Sequence, residues 1–187
     1  MTFDIRPERE KKWRIMVSSL GLRRGTVRLV PYRRAWHAAF IQESRKLRKM
    51  LGSSVIEIQH VGSTAVSGLR SKPILDIDVG LKSLPLSKKV KAKLRRLGYL
   101  GPRTKSRSNI VFVKGPEHRR TIYLHLMLHN GRIWKNDLRF RNWLRESTAH
   151  SREYERVKVA LWRRNRNNRA RYTLSKGKFI KRVLAGK

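Results

Sequence analysis

Asp76 and Asp78 stand two residues apart in the apolar run PILDIDVGL, and Gly62 and Ser63 precede them by a short interval. Side chains alternate along an extended strand, so both carboxylates project to the same side. Two carboxylates held together repel, and one takes up a proton unless a cation lies between them. Mg²⁺ or Mn²⁺ suits that position, because it takes oxygen ligands and combines one or two carboxylates with substrate phosphates. A glycine turn lets the backbone approach a phosphate closely, and a serine hydroxyl with neighbouring N–H groups can donate to it. Lys72, just ahead of the strand, adds a positive point charge. The chemistry expected here is that of a metal–nucleotide site, with Asp76 and Asp78 as catalytic residues and metal ligands. Gly62, Ser63 and Lys72 would hold the substrate. Asp-x-Asp alone reads more readily as a surface pair on an edge strand; the apolar flanks and the preceding Gly-Ser favour the site.

The elements that must position these residues are legible as periodicities. Ala35 to Leu51 carries apolar groups at Trp36, Phe40, Leu47 and Leu51, near helical spacing, and Gly52-Ser53-Ser54 ends it. Val55 to Val61 alternates with period two, as a half-buried strand does, and Gly62-Ser63 breaks it. Pro73 to Leu81 is a second strand, with Ile74, Asp76 and Asp78 on one face and Leu75, Ile77 and Val79 on the other. Leu86 to Leu97 reads as a basic amphipathic helix closed by Gly98; 110–113 and 121–128 read as strands, and Val27–Pro31 as a short one. From Trp134 the pattern turns helical in three pieces, 134–147, 150–166 and 171–185. The expectation is an α+β protein: a small mixed sheet packed with helices, followed by a helical C-terminal lobe over about 134–187. Residues 1–26 read as a basic extension, either a helix lying on nucleic acid or a leader, ahead of a domain spanning 27–187.

Charge bounds the partners. The chain of 187 residues has 47 Lys+Arg against 12 Asp+Glu, a net charge of +35. That is one uncompensated positive charge per ~270 Å² of surface for a protein of this mass. Such a surface attracts polyanions, and release of counterions from even a few phosphates dominates binding at moderate salt. Nucleic acid, with RNA favoured, is the expected macromolecular partner. There are no cysteines, which excludes disulfides, thiolate metal sites and thiol nucleophiles. No apolar run reaches the ~20 residues of a membrane span. The first 25 residues hold no apolar stretch of signal-peptide length, and Asp4, Glu8 and Glu10 argue against a transit peptide. A cytoplasmic protein is expected.

Gly-Ser followed, after the twelve residues 64–75, by Asp-x-Asp resembles the signature of the polymerase-β-type nucleotidyltransferase superfamily. Within it the chain resembles the GrpB family, through VRLVPYRRAW at 27–36, the His60–Gly80 stretch, LRFRNWL at 138–144, Tyr154 with Lys158, and Tyr172 with Lys176. The resemblance implies a small mixed sheet on helices, with Gly62, Ser63, Asp76 and Asp78 at the nucleotide and metal site. It also implies a histidine at His125, taken here as substrate-binding, and a family block around Arg141. Of Arg139, Arg141 and Arg145, Arg141 is therefore the one expected in the cleft. The superfamily often places a third carboxylate on a neighbouring strand, whereas TIYLHLMLH at 121–129 has no acid. Gln59 and Asn142 stand where acids are common. His125 and His129 share a strand face, but a zinc site would need further ligands. His60 is expected to hydrogen-bond within the turn.

Two functions follow from this reading. The first is Mg²⁺-dependent transfer of a nucleoside monophosphate from an NTP to an acceptor hydroxyl, the acceptor being RNA. The alternative is a non-catalytic basic RNA- or DNA-binding protein built on the same fold. A small-molecule nucleotidyltransferase whose charge is incidental stands third.

Overall fold

A computed structural model describes residues 19–104 and 106–186. Of the extension read over residues 1–26 as helix or leader, residues 1–18 fall outside them. Six strands and five α-helices follow in the order β1 (Leu22–Arg23), α1 (Ala35–Leu51), β2 (Val55–Val61), β3 (Leu75–Leu81), α2 (Lys88–Arg96), β4 (Ile110–Lys114), β5 (Arg119–Arg120), β6 (Ile122–Leu128), α3 (Arg132–Glu146), α4 (Thr148–Arg164) and α5 (Arg169–Leu184), counted among the described residues. The main sheet has strand order β2-β3-β6-β4, with β3 parallel to β6 and the other pairs antiparallel. The fold is α+β, with helices on both faces of a mixed sheet.

Alternation along β3 divides the protein. Leu75, Ile77, Val79 and Leu81 meet Ile122, Leu124 and Leu126 of β6 and Phe112 of β4 on one face, and all are buried. Trp36, Phe40, Leu47 and Leu51 of α1 and Leu94 of α2 cover that face to complete the main core. Asp76, Asp78 and Gly80 lie on the other face, towards α3–α5. Those three helices close on a smaller cluster of Phe140, Leu144, Tyr154 and Phe179. Side chains of Ser87, Ser147 and Asn168 cap α2, α4 and α5 at their N-termini.

The Val27–Pro31 strand is reduced to a single bridge, Val30 with Ser71, its two hydrogen bonds each 2.9 Å. Pro31 has no N–H to extend it. At the end of the segment read as an extension, Leu20 and Leu22 are buried, Leu20 in the main core, and β1 pairs with β5. Tertiary packing recruits these residues, although residues 1–26 read as a basic extension.

One charged group interrupts the main core. Glu43, on the buried stripe of α1, is wholly buried; it accepts from Tyr99 Oη at 2.9 Å and from Lys114 Nζ at 2.7 Å, tying α1 to β4. Its Oε2 has no partner. Removing the ammonium strands a buried charge, which costs more than replacing the whole pair with apolar groups. Lys114→Met should therefore destabilise by about 3 kcal/mol, the low end for a buried pair because the Lys114 side chain is partly exposed. The double variant Glu43→Leu/Lys114→Met should recover most of that in urea titrations, and a double variant no more stable than the single one would contradict the account.

Candidate active site

The strand register lines up the chemistry. Asp78 lies opposite Gln59 of β2 and His125 of β6, and Asp76 lies opposite Val61 and Tyr123. Ahead of them Gly62 turns with φ +67°, a left-handed conformation that favours glycine, and starts a single 3₁₀ turn at Ser63–Ala65. A Cβ on Gly62 would lie 2.6 Å from Asp76 Oδ2, so only glycine lets the turn sit against that carboxylate. His60 holds the turn from within, its Nε2 3.0 Å from Thr64 Oγ1 and its ring stacked on Phe40. Burial pushes the His60 imidazole down to about 3, so it stays neutral and acts as a strut, as expected of a turn hydrogen-bonder.

Gly62, Ser63, Lys72, Asp76, Asp78 and His125 all line one cleft of about 850 Å³ between the sheet and the helical lobe. Arg141 is not part of that lining. Its guanidinium donates to the Gln59 side chain, to the His60 carbonyl at 3.1 Å and to Asn142 Oδ1 at 2.9 and 3.1 Å. Arg145 donates to the Ala65 carbonyl at 2.7 and 3.2 Å. Two arginines of α3 thus clamp the end of β2 and the turn beyond it, and Arg141 supports the site from behind. The side-chain amides of Gln59 and Asn142 share the role of acceptor with the His60 and Ala65 carbonyls. His129 turns away to Glu57, 3.2 Å distant, so it does not join His125 in a zinc site.

The structure brings in residues that the sequence reading left out, above all Asp137. Gly80 lets α3 descend onto the sheet, since a Cβ there would lie 3.1 Å from Trp134 Cζ3 and 2.9 Å from His129 Cδ2. Asp137 then comes within hydrogen-bonding reach of Asp78. Neither oxygen of the fully buried Asp78 has a donor, so the two carboxyls can bond only if one keeps a proton. The sequence held a signal: Trp134, Asp137, Arg141 and Leu144 fall on one helical face, and Asp137 is an acid on its apolar side. The chain has only four aspartates, and three of them meet in this cleft. Lys158, Arg169, Tyr172 and Lys176, from α4 and α5, form the opposite wall.

Environment separates the carboxyls. Burial raises Asp78 well above the carboxylate range, and the charges of Asp137 and Asp76 raise it further against His125. Burial also raises Asp137, opposed by His125 and Lys176. Burial would raise Asp76 too, but His125 and the ammonium groups of Lys72 and Lys176 hold it below its ordinary value. His125 Nε2 lies 3.9 Å from Asp76 Oδ1, an ion-pair distance longer than a hydrogen bond. Burial pulls the imidazole down, yet the three aspartates leave it raised overall. Among the described residues no group of three His, Cys, Asp or Glu side chains is arranged to hold a metal ion by itself. The unpartnered oxygens of Asp78 beside Asp76 nevertheless fit a hard cation whose remaining ligands are phosphate and water.

The family model described as GrpB protein matches residues 26–186. The chain is 33% identical to the glutamate-rich protein GrpB of Alkalihalophilus pseudofirmus, over 88% of this chain and 98% of that protein. It is 35% identical to a UPF0157 protein of Pseudomonas aeruginosa, over 84% of this chain and 66% of the other. The crystal structure of conserved protein GrpB from Enterococcus faecalis superposes with a TM-score of 0.76 at 28% identity, covering 85% of this chain and 96% of that one. Among the described residues no helix is long and apolar enough to cross a membrane.

The strained carboxyls set a stability profile. Asp78, Asp137 and His125 all have raised values in the folded state, so these groups contribute stability that is present below their unfolded values, about 4 for the carboxyls and 6.5 for the imidazole, and lost as pH rises towards the folded ones. Asp76, His60, Lys72 and Lys158 oppose them, since their lowered values add stability as pH rises. Asp78→Asn removes the costliest charge and should raise the metal-free melting temperature at pH 8 by a few degrees, with about 1 kcal/mol corresponding to ~2–4 °C for a chain of this size. The gain should vanish near pH 4. Calorimetry showing Asp78→Asn less stable at pH 8 would refute this assignment of the site's charges.

Proposed function

The chain belongs to the GrpB family, and from that premise we propose that it transfers a nucleoside monophosphate from an NTP to an acceptor hydroxyl, with Mg²⁺ or Mn²⁺ held by Asp76 and Asp78. The observation that carries this reading is the pairing of those carboxylates, one of them buried without a donor, directly against the Gly62 turn. When bound, the metal ion supplies Lewis-acid stabilisation of the phosphate oxygens. The residues of the chain do the rest. The Gly62–Ser63 turn positions the phosphates, with the Ser63 hydroxyl beside the Tyr154 phenol. His125, opposite Asp78 on the neighbouring strand, holds Asp76 ionised. The acceptor oxygen bonds to the α-phosphorus, the bond from that phosphorus to its bridging oxygen breaks, and pyrophosphate leaves. The acceptor's proton passes to water or to a cleft carboxylate. Positioning and charge account for most of the catalysis in such a reaction.

RNA is the acceptor favoured by the +35 charge, since a small hydroxylated acceptor does not call for it. The second reading, a non-catalytic RNA- or DNA-binding protein, is favoured by the lack of an acid along β6 and of a three-ligand metal group among the described residues.

Mg²⁺–NTP should raise the melting temperature of the wild type more than that of Asp76→Asn/Asp78→Asn, and the difference between them should disappear when EDTA replaces the metal. Transfer of radiolabelled NTP to total RNA should fall at least about 100-fold in that variant. If no NTP is transferred with Mg²⁺ or Mn²⁺ while RNA binding weakens steeply with salt, the binding protein is the better reading. A flat log–log salt dependence would remove the nucleic-acid partner altogether.

A further inference from the structure

The wall of the cleft facing the aspartates has a charge problem of its own. Arg169, Tyr172 and Lys176 fall at i, i+3 and i+7 on α5, one helical face, and all three line the cleft. Lys72 enters from the opposite side, its Nζ 5.4 Å from the Tyr172 ring centroid. The Arg169 guanidinium lies over Tyr123, 5.5 Å from the ring centroid, and its buried Nη2 has no hydrogen-bond partner. Burial, then Lys176, then Arg169 pull the Lys72 ammonium down to about 7, against the single opposing charge of Asp76. On α4, Lys158 donates to the Arg70 carbonyl and is lowered by burial and by the same Lys176 and Lys72. The nearest acid on that helix, Glu155, is engaged by the Arg70 backbone N–H at 2.8 Å. Cations therefore crowd one desolvated wall from several elements, and the protein offers them little counter-charge.

We propose that Arg169, Lys72 and Lys176 form a polyphosphate pocket, distinct from the carboxylates and independent of metal, that holds the terminal phosphates of an NTP and then the pyrophosphate released from it. For the nucleotide this rests on the nucleotidyl-transfer reading; the anion site itself stands on the cation geometry. A pyrophosphate carries several negative charges on two tetrahedral centres. The planar guanidinium can meet it with paired N–H donors, and the two ammonium groups can meet it as point charges. Tyr123 and Tyr172 hold Arg169 and Lys72 by their ring faces, which limits the ordering needed on binding. An anion in that position relieves the mutual repulsion of the cations and satisfies the unpartnered Arg169 nitrogen.

The test is calorimetric titration of the full chain with pyrophosphate in EDTA, at about 0.3 M salt to screen diffuse attraction. The expected result is saturable binding of one pyrophosphate per chain. Arg169→Met/Lys176→Met should weaken it at least tenfold. Arg95→Met/Arg96→Met removes the same charge from exposed positions on α2, across the sheet, and should leave it within twofold. Should the double variant fail to fold, Lys176→Gln alone is read in the same titration and should still weaken binding severalfold. No saturable binding by wild type, or equal losses in the α5 and α2 variants, would overturn the pocket. Pyrophosphate binding that depends on α5, without NTP transfer under any metal, keeps the pocket and removes the nucleotidyl reading. Transfer with unchanged NTP affinity in Arg169→Met/Lys176→Met does the reverse.

Discussion

Asp78 is buried with neither oxygen hydrogen-bonded, beside Asp137 and on the same strand face as Asp76, and this sets the terms for half of the molecule. An apolar helix face laid directly over these carboxyls would leave them with no relief at all. The helical lobe instead closes on its own aromatic cluster and leaves a cleft. The devices around the cleft are consequences of that demand. Gly80 admits α3 closely enough to deliver Asp137, Gly62 leaves space for the Asp76 carboxylate, and Arg141 and Arg145 hold the turn from outside. The opposite face of the same strands is packed with aliphatic groups, and its tight burial fixes the register that places the aspartates.

Much of this was legible because it is periodic. Alternation in residues 73–81 gave the correct faces of β3, and helical spacing gave α1 its observed bounds, Ala35–Leu51. Asp137 was missed because its neighbour Asp78 is 59 positions away, and no local pattern shows which acid a packed helix will bring to a strand. The same limit applies to Arg141. Its position in the helix was readable, but the carbonyl of His60 and the Gln59 amide, which capture its guanidinium, become neighbours only when α3 crosses β2. Leu20 and Leu22 were hidden because they end a short uncharged run, 15–22, that lies between two basic stretches and shows no clear period. Two leucines suffice when a sheet edge and a core are waiting for them.

Net charge alone is a poor guide to the cleft. A surface of +35 attracts polyanions diffusely, and salt screens that attraction over about 8 Å. Inside the cleft the arrangement is specific and two-sided. Aspartates on the sheet face lysines and an arginine on α4, α5 and the approach to β3. Lys176 exerts its charge on Asp76, Asp137, Lys72 and Lys158 alike, so it sits between the two groups and belongs fully to neither.

That separation is hard to explain as a device for stability. Pairing Lys72 or Lys176 with Asp78 and Asp137 would neutralise both walls, and the residues for it are already present. Among the described residues, no lysine or arginine lies within ion-pair distance of Asp78 or Asp137; the recorded ion pair of the cleft carboxylates is Asp76 with His125. The fold thus holds apart opposite charges that would attract strongly in a low-dielectric cleft, and it leaves each side partly desolvated. The ligand proposed above, a cation bound to a polyphosphate, is itself two-sided and would meet both walls at once, its cation towards the aspartates and its phosphates towards α5. On that proposal the charges of the two walls are complementary to one species, and the cleft between them is the space it would fill.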